Sequence, residues 1–154
     1  MFSIPEVHVI EIVSKNNIKE VLPLIRAYQE FYKVSEISDL KNEVFFSQFG
    51  ESNPAGCQFI YRDNGVVVGF ATVYFSYASS ITSKVAVLND LFTVSNLRGK
   101  GVGRKLVEHC HQFALKNNAS RLQWVTAPDN EVAQKLYDSM NASKSNWDFY
   151  SYNT

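Results

Sequence analysis

Apolar residues in this chain recur at two spacings, and the switches between them divide it into elements. His8 to Val13 (HVIEIV) alternates apolar and polar positions, as a half-buried strand does. From Ile18 the spacing lengthens. Val21, Leu22, Ile25, Tyr28, Phe31 and Tyr32 fall on one face of a helix that Asn16 or Asn17 can cap, with Pro23 in its first turns. Ser38-Asp39 opens a second helix carrying Leu40, Val44, Phe45 and Phe49, and Gly50 ends it before the loop 51–56. Cys57 to Arg62 and Val66 to Tyr77 are β-rich runs joined by Asp63-Asn64-Gly65, which predicts a hairpin. After the polar turn 78–83, Val85 to Val94 is β-branched and apolar and suits a largely buried strand.

A glycine-rich turn, Arg98-Gly99-Lys100-Gly101-Val102-Gly103, then feeds a helix with Val102, Leu106, Cys110, Phe113 and Ala114 on one face. Leu122 to Thr126 is the next strand, and the intervening helix makes it parallel to Val85–Val94 by a crossover. Asn130 begins a last helix, with Ala133, Leu136, Tyr137 and Met140 on one face, and Asp148 to Tyr152 reads as a closing strand. The order β-α-α-β-β-β-α-β-α-β predicts an α/β domain: a central, mostly antiparallel sheet with helices on both faces. Its 154 residues suffice for one domain, 1–154, with a substantial core.

Composition changes this picture little. Formal net charge is zero, so no bulk attraction to nucleic acid or membrane is implied. No apolar run is long enough to span a bilayer, and Met1 to Glu6 lacks the pattern of a leader. Two cysteines do not make a disulfide scaffold, which makes a reduced, cytoplasmic protein the expectation. Aromatic residues reach 14%, enough for a large core or an aromatic-lined pocket, and Trp124 and Trp147 are read as core. His109-Cys110-His111 invites a metal reading, but adjacent helical side chains diverge by about 100° and cannot converge on one ion; no metal site is expected.

The chemistry gathers at residues 98–104. A turn entering a helix leaves backbone N–H groups without acceptors at the positive end of the helix dipole, which suits phosphate. Glycines let a bulky polyanion approach closely, and Arg98, Lys100, Arg104 and Lys105 add charge. No phosphate loop of the form G-x-x-x-x-G-K-[ST] is present, and G-x-G-x-G so late in the chain is a poor dinucleotide fingerprint. Arg98, Gly101 and Gly103 match instead the R-x-x-G-x-G pyrophosphate loop of acyl-CoA-dependent N-acetyltransferases. Over nearly its whole length the chain resembles the GNAT superfamily, whose fold has the predicted order.

The resemblance implies acetyl-CoA as cosubstrate and transfer of its acetyl group to a primary amine of a small molecule by direct attack in a ternary complex. It assigns cosubstrate binding to Phe92, Thr93 and Val94 on the splayed strand, to Arg98, Gly99, Lys100, Gly101, Val102, Gly103 and Arg104 in the loop, and to Asn130. Tyr137, within N-E-V-A-Q-K-L-Y, matches the family's N-x-x-A-x-x-L-Y segment, where the tyrosine protonates the departing thiolate. The pattern L-x-D-x-F-x-V is similar to the polyamine (spermidine/spermine-type) branch. That branch carries a glutamate just before the aspartate, whereas this chain has Asn89. An amide cannot accept the amine's proton, which leaves Asp90 as the nearest carboxylate. If Asn89 faces the cleft, strand alternation turns Asp90 to the other face and demands a water relay. Tyr28, Glu30 and Tyr32 could form an acidic, aromatic wall for an ammonium group, with Asn89 beside it. A homodimer is expected from similar proteins. Three other functions stay open: acetylation of a protein lysine or N-terminus, an acyl-CoA-binding module with little catalysis, and a nucleotide-binding domain of another family.

Overall fold

The computed structural model describes residues 3–154; Met1 and Phe2, where the segment read as lacking a leader begins, lie outside the described residues. Five strands form one sheet in the order β1 (His8–Ile12), β2 (Gly56–Asp63), β3 (Val66–Ala78), β4 (Ser83–Thr93), β5 (Leu122–Gln123). The pairs are antiparallel except β4–β5, which is parallel as the crossover requires. The connecting elements are α1 (Ile18–Phe31), α2 (Asp39–Phe46), α3 (Val102–Lys116) and α4 (Glu131–Ser139).

Alternation along the strands sends apolar side chains to both faces, so the sheet is covered twice. On one side Phe59, Ala71, Val73 and Leu88 pack with Leu106, Cys110 and Ala114 of α3, and Tyr137 of α4 and Met140 just past its end close the margin. On the other, Ile60, Val67 and Phe70 pack with Val21, Leu24 and Ile25 of α1 and with Phe46 of α2. Neighbouring residues such as Phe59 and Ile60 thus serve opposite cores. Two glycines permit close approaches in this packing. A Cβ on Gly56 would stand 2.3 Å from the Val73 carbonyl oxygen, and one on Gly69 would crowd Val102 and Leu106 of α3.

Three expectations are corrected. Of the face predicted to be apolar, Leu40, Val44 and Phe45 point outward; Phe49, just beyond α2, is buried as expected, and Phe46 is the residue of the helix that joins it in the core. The cause is a reciprocal amide pair: Gln29 donates to Asn42 at 2.9 Å and Asn42 donates back at 2.8 Å. This pair, with Asn42 buried and Gln29 half-buried, ties the rotation of α2 to α1. Asn42→Ala should therefore cost about 1–2 kcal/mol, seen as a fall of a few degrees in the thermal midpoint.

Second, β5 has only two residues where Leu122–Thr126 was expected. Third, the closing strand 148–152 does not form, and Trp147 is 87% exposed rather than core, as are Phe149, Tyr150 and Tyr152. Aromatic residues give strand propensity but no ladder, and a two-residue β5 offers almost no edge to pair with.

Candidate active site

The shortness of β5 creates the site. It pairs with β4 only at Ala86↔Leu122 and Val87↔Gln123, while β4 continues to Thr93. From Leu88 onward no strand among the described residues pairs with β4 on that side, so the strand predicted to hold the cosubstrate presents an unpaired backbone edge. Phe92 is held among Tyr28 and Phe70 rings, with the Arg98 guanidinium over its face at 5.7 Å. The Arg98 Nε donates to the Thr93 carbonyl at 3.1 Å. Arg98 thereby braces the end of β4 as well as charging the turn, and Val94 closes the strand by donating its N–H to Val68 at 2.9 Å.

At the turn, Gly99 and Gly101 have φ of +77° and +87°, and a Cβ on either would meet nothing within 4 Å. These left-handed residues turn the chain so that α3 starts at Val102 with no side-chain cap. The amides of Val102, Gly103 and Arg104 therefore have no acceptor among the described residues. An open concavity walled by backbone N–H groups at a helix N-terminus fits a diphosphate. Gly103 sits where this cradle touches α4: a Cβ there would lie 3.3 Å from Leu136, the neighbour of Tyr137. The basic side chains are not equivalent. Lys100 is exposed, Arg104 is hydrogen-bonded to the Ser139 hydroxyl of α4, and Lys105 is directed away, toward the Tyr61 hydroxyl at 3.5 Å.

Tyr137 lies half-buried on α4, its ring edge-on to Trp124 with centroids 5.2 Å apart. Burial pushes its phenol above the ordinary tyrosine value, and the nearby Tyr32 adds to this. Such a phenol keeps its proton at neutral pH and so has one to share with a group on which negative charge develops. Asn130 caps α4 by accepting from the Ala133 N–H at 3.2 Å. It also borders a cleft of about 380 Å³ with Tyr32 and the end of α1. Tyr32 in turn packs against Tyr28, the two rings tilted with centroids 4.8 Å apart. The end of α1 thus spans from the Tyr137 side of the cleft to the Asp90 side.

Asp90 is where the structure departs most from simple alternation. Thr72 pairs with Asp90 but Val73 pairs with Leu88, so Asn89 is an extra residue in β4. This bulge abolishes the predicted opposition of the two side chains. The Asn89 amide donates to the Asp90 carboxylate at 3.0 Å. Asn89 is exposed and Asp90 is only 5% exposed, so the amide marks the mouth of a buried carboxylate. Burial pushes the Asp90 carboxyl above the usual carboxylate range, while the Thr72 and Tyr28 hydroxyls and the Asn89 amide pull it back. Among the described residues no cation offsets its charge. Tyr28 and Tyr74 face it, and burial pushes both phenols well up.

Glu30 does not join this group. Two helical residues turn the chain by about 200°, so Glu30 lies exposed on the outer side of α1, near Arg26 and not near Asp90. Sequence reading also passed over Thr72 and Gln58, which line up with Asp90 across β3 and β2 in direct register. Both are fully buried. Their signal was a polar residue facing inward within otherwise apolar strands. Gln58 Nε2 donates to the Thr72 hydroxyl at 3.2 Å, while Gln58 Oε1 is buried with no partner among the described residues, which costs about 1–3 kcal/mol.

A mixed sheet whose fourth strand parts from the fifth above a helix-start anion cradle is the framework of an N-acetyltransferase that uses acetyl-CoA. The family model described as Acetyltransferase (GNAT) family matches residues 21–141, and the chain belongs to that family. It is 32% identical over 118 residues to an uncharacterized N-acetyltransferase of Bacillus subtilis, covering 77% of this chain and 78% of that one. A mouse thialysine N-epsilon-acetyltransferase is 26% identical over 131 residues, covering 80% and 76%. In fold it matches an aminoglycoside N-acetyltransferase solved in complex with CoA, at a TM-score of 0.83 and 16% identity over 99% of both chains. No helix among the described residues is long and apolar enough to cross a membrane.

Proposed function

We propose that the chain acetylates a primary amine of a small molecule by direct attack in a ternary complex, with Asp90 receiving the amine's proton and Tyr137 supplying one to the leaving thiolate. The observation that carries this reading is the buried, cation-free carboxylate at the bulge of β4, beside the strand's open edge. A carboxylate taken out of water without a counter-charge favours an incoming ammonium group. Its raised proton affinity then suits it to take the proton that must leave before the nitrogen can attack. The phenols of Tyr28 and Tyr74 form the aromatic wall, Asn89 stands at the entrance, and Glu30 is dropped from the substrate contacts.

Acetyl-CoA supplies the acyl thioester. The chain's own groups do the rest: the amides of Val102 to Arg104 with Gly99, Lys100 and Gly101 would hold the diphosphate, and the open edge at Phe92 to Val94 would align the arm. Arg98 and Asn130 border the same path. Much of the rate then comes from holding amine and thioester together. Amides need no change of conformation to neutralise a diphosphate, so the cradle is preorganised. The reading keeps a homodimer and a reducing compartment as expectations, the latter supported by Cys57 and Cys110, which are free and buried.

The test is free-thiol release from acetyl-CoA with a panel of polyamines, diamines, amino acids, aminoglycosides and lysine peptides. Release with one small-molecule class, at least tenfold above the peptides, is expected. Release with peptides alone would replace the small-molecule reading by a protein-directed one. Binding of acetyl-CoA with no release for any amine would favour a binding module.

A further inference from the structure

We propose that Thr72 and Gln58 are positioning residues: together they form a one-way hydrogen-bond row that runs from inside the sheet to Asp90 and holds it as the carboxylate the reaction needs. This rests on the reading of Asp90 as the amine's base. The three residues lie side by side on β2, β3 and β4, in register, on the face covered by α1 and α2. Gln58 and Thr72 are fully buried, so water cannot substitute for either contact.

The direction of the row follows from its donors. Gln58 Nε2 donates into the Thr72 oxygen at 3.2 Å. A threonine hydroxyl has one proton; with its oxygen occupied by an incoming N–H, that proton is free to turn toward Asp90, which stands directly opposite Thr72 in the strand register and whose carboxyl Thr72 pulls down. The unpartnered Gln58 Oε1 marks the same polarity. Half a turn of the amide would give Oε1 the Thr72 proton, but would take that proton away from Asp90. A buried acceptor left empty, with a donor one bond rotation away, is consistent with the charge on Asp90 holding the row in place.

When Asp90 takes up the amine's proton, its O–H can donate to Thr72, and the Thr72 proton is then free to turn to Gln58 Oε1. The row therefore has a second arrangement that fits the protonated acid, and the two differ only by hydroxyl and amide rotation. The other groups facing Asp90 do not titrate in its range. Tyr28 from α1 and Tyr74 from β3 are phenols pushed up by burial, Tyr32 stands behind Tyr28, and Asn89 of β4 is an amide.

Three variants test this: Thr72→Val, which removes the donor while keeping the shape; Thr72→Ser, which keeps the hydroxyl; and Gln58→Met, which removes the orienting amide and the empty acceptor together. Two readouts are taken on the full chain. One is the pH dependence of kcat/KM with the best amine of the panel. The other is the carboxyl 13C titration of aspartate-labelled protein, with the Asp90 signal identified by its loss in Asp90→Asn. Thr72→Val should move the Asp90 midpoint and the acid limb of kcat/KM up together by about one pH unit. One unit below the wild-type midpoint, that is about a tenfold fall in kcat/KM. Thr72→Ser should stay near wild type, and Gln58→Met should move both readouts in the same direction by less. The amine's own limb should not move, because the substrate is unchanged.

An Asp90 midpoint unmoved in both Thr72→Val and Gln58→Met would overturn the inference, whatever the activity. If Thr72→Val does not fold, Gln58→Met with Thr72→Ser decides alone. A midpoint that moves while the kinetic limb stays would leave the row intact but remove Asp90 as the base.

Discussion

Tyr137→Phe should lower kcat at least 100-fold while leaving the affinity for acetyl-CoA within twofold of wild type. A positioned general acid contributes about 10²–10⁴ in rate. The phenyl ring keeps the edge-on contact with Trp124, so α4 and the cradle beside it should not shift. Only the hydroxyl is lost, and with it the proton for the departing thiolate. The raised proton affinity of Tyr137 adds a second signature. The alkaline limb of kcat that belongs to this group should lie above the ordinary tyrosine value, because activity persists until the phenol ionises. Turnover by thiol release, set beside calorimetric binding of acetyl-CoA, separates the two quantities. A variant with full turnover would show that solvent protonates the thiolate and would return Tyr137 to a packing role.

Asp90→Asn should lower kcat/KM by at least 100-fold and abolish the acid limb of its pH profile. The sign of that limb follows from burial. The folded carboxyl binds its proton more tightly than an exposed aspartate, so activity should rise with pH only above the usual carboxylate range. Stability should respond in the opposite sense. A carboxyl whose folded value is raised stabilises the fold fully below its unfolded value, and that contribution is lost as pH rises through the folded value. Wild type should therefore gain stability relative to Asp90→Asn as the medium is acidified, and be no more stable than the variant at pH 8. Thermal midpoints of both proteins between pH 4 and pH 8 measure this. Loss of activity with a pH-independent difference in midpoint would mean that Asp90 acts as a bound dipole and not as a titrating base.

The same two residues illustrate how differently sites are written into a chain. The turn 98–104 was legible because its requirements are local: a glycine-rich turn must precede a helix for its amides to be free. Helical spacing likewise put Tyr137 on the inner face of the last helix, while its role as an acid is what the family resemblance implies. Asp90 was visible as a residue but misplaced as a geometry. Alternation is a rule of uninterrupted ladders, and the extra residue at Asn89 is defined only by which residues of β3 stand opposite. Glu30 failed for the converse reason: composition grouped it with Tyr28, while the helical period put it on the far side.

The aromatic C-terminus shows the limit again. Trp147 and its neighbours carry strand propensity, yet no strand forms there because pairing is a property of two segments. The helix α2 shows it for packing. Its apolar stripe was correctly seen, but the amide pair between Gln29 and Asn42, thirteen residues apart, rotated the helix and left that stripe outside.

By itself the sequence determined the kind and order of all elements but the last strand, the antiparallel hairpin and the crossover, the helix-start cradle and the tyrosine of the last helix. Each depends on periodicity or spacing within one element or across one turn, where covalent connection fixes the geometry. The tertiary structure alone decided where β5 stops and so opens the edge of β4, that a bulge brings Asn89 beside Asp90, and that Thr72 and Gln58 lie in line behind it. Those features belong to contacts between strands far apart in the chain, whose register is set by the whole of the two cores on either side of the sheet.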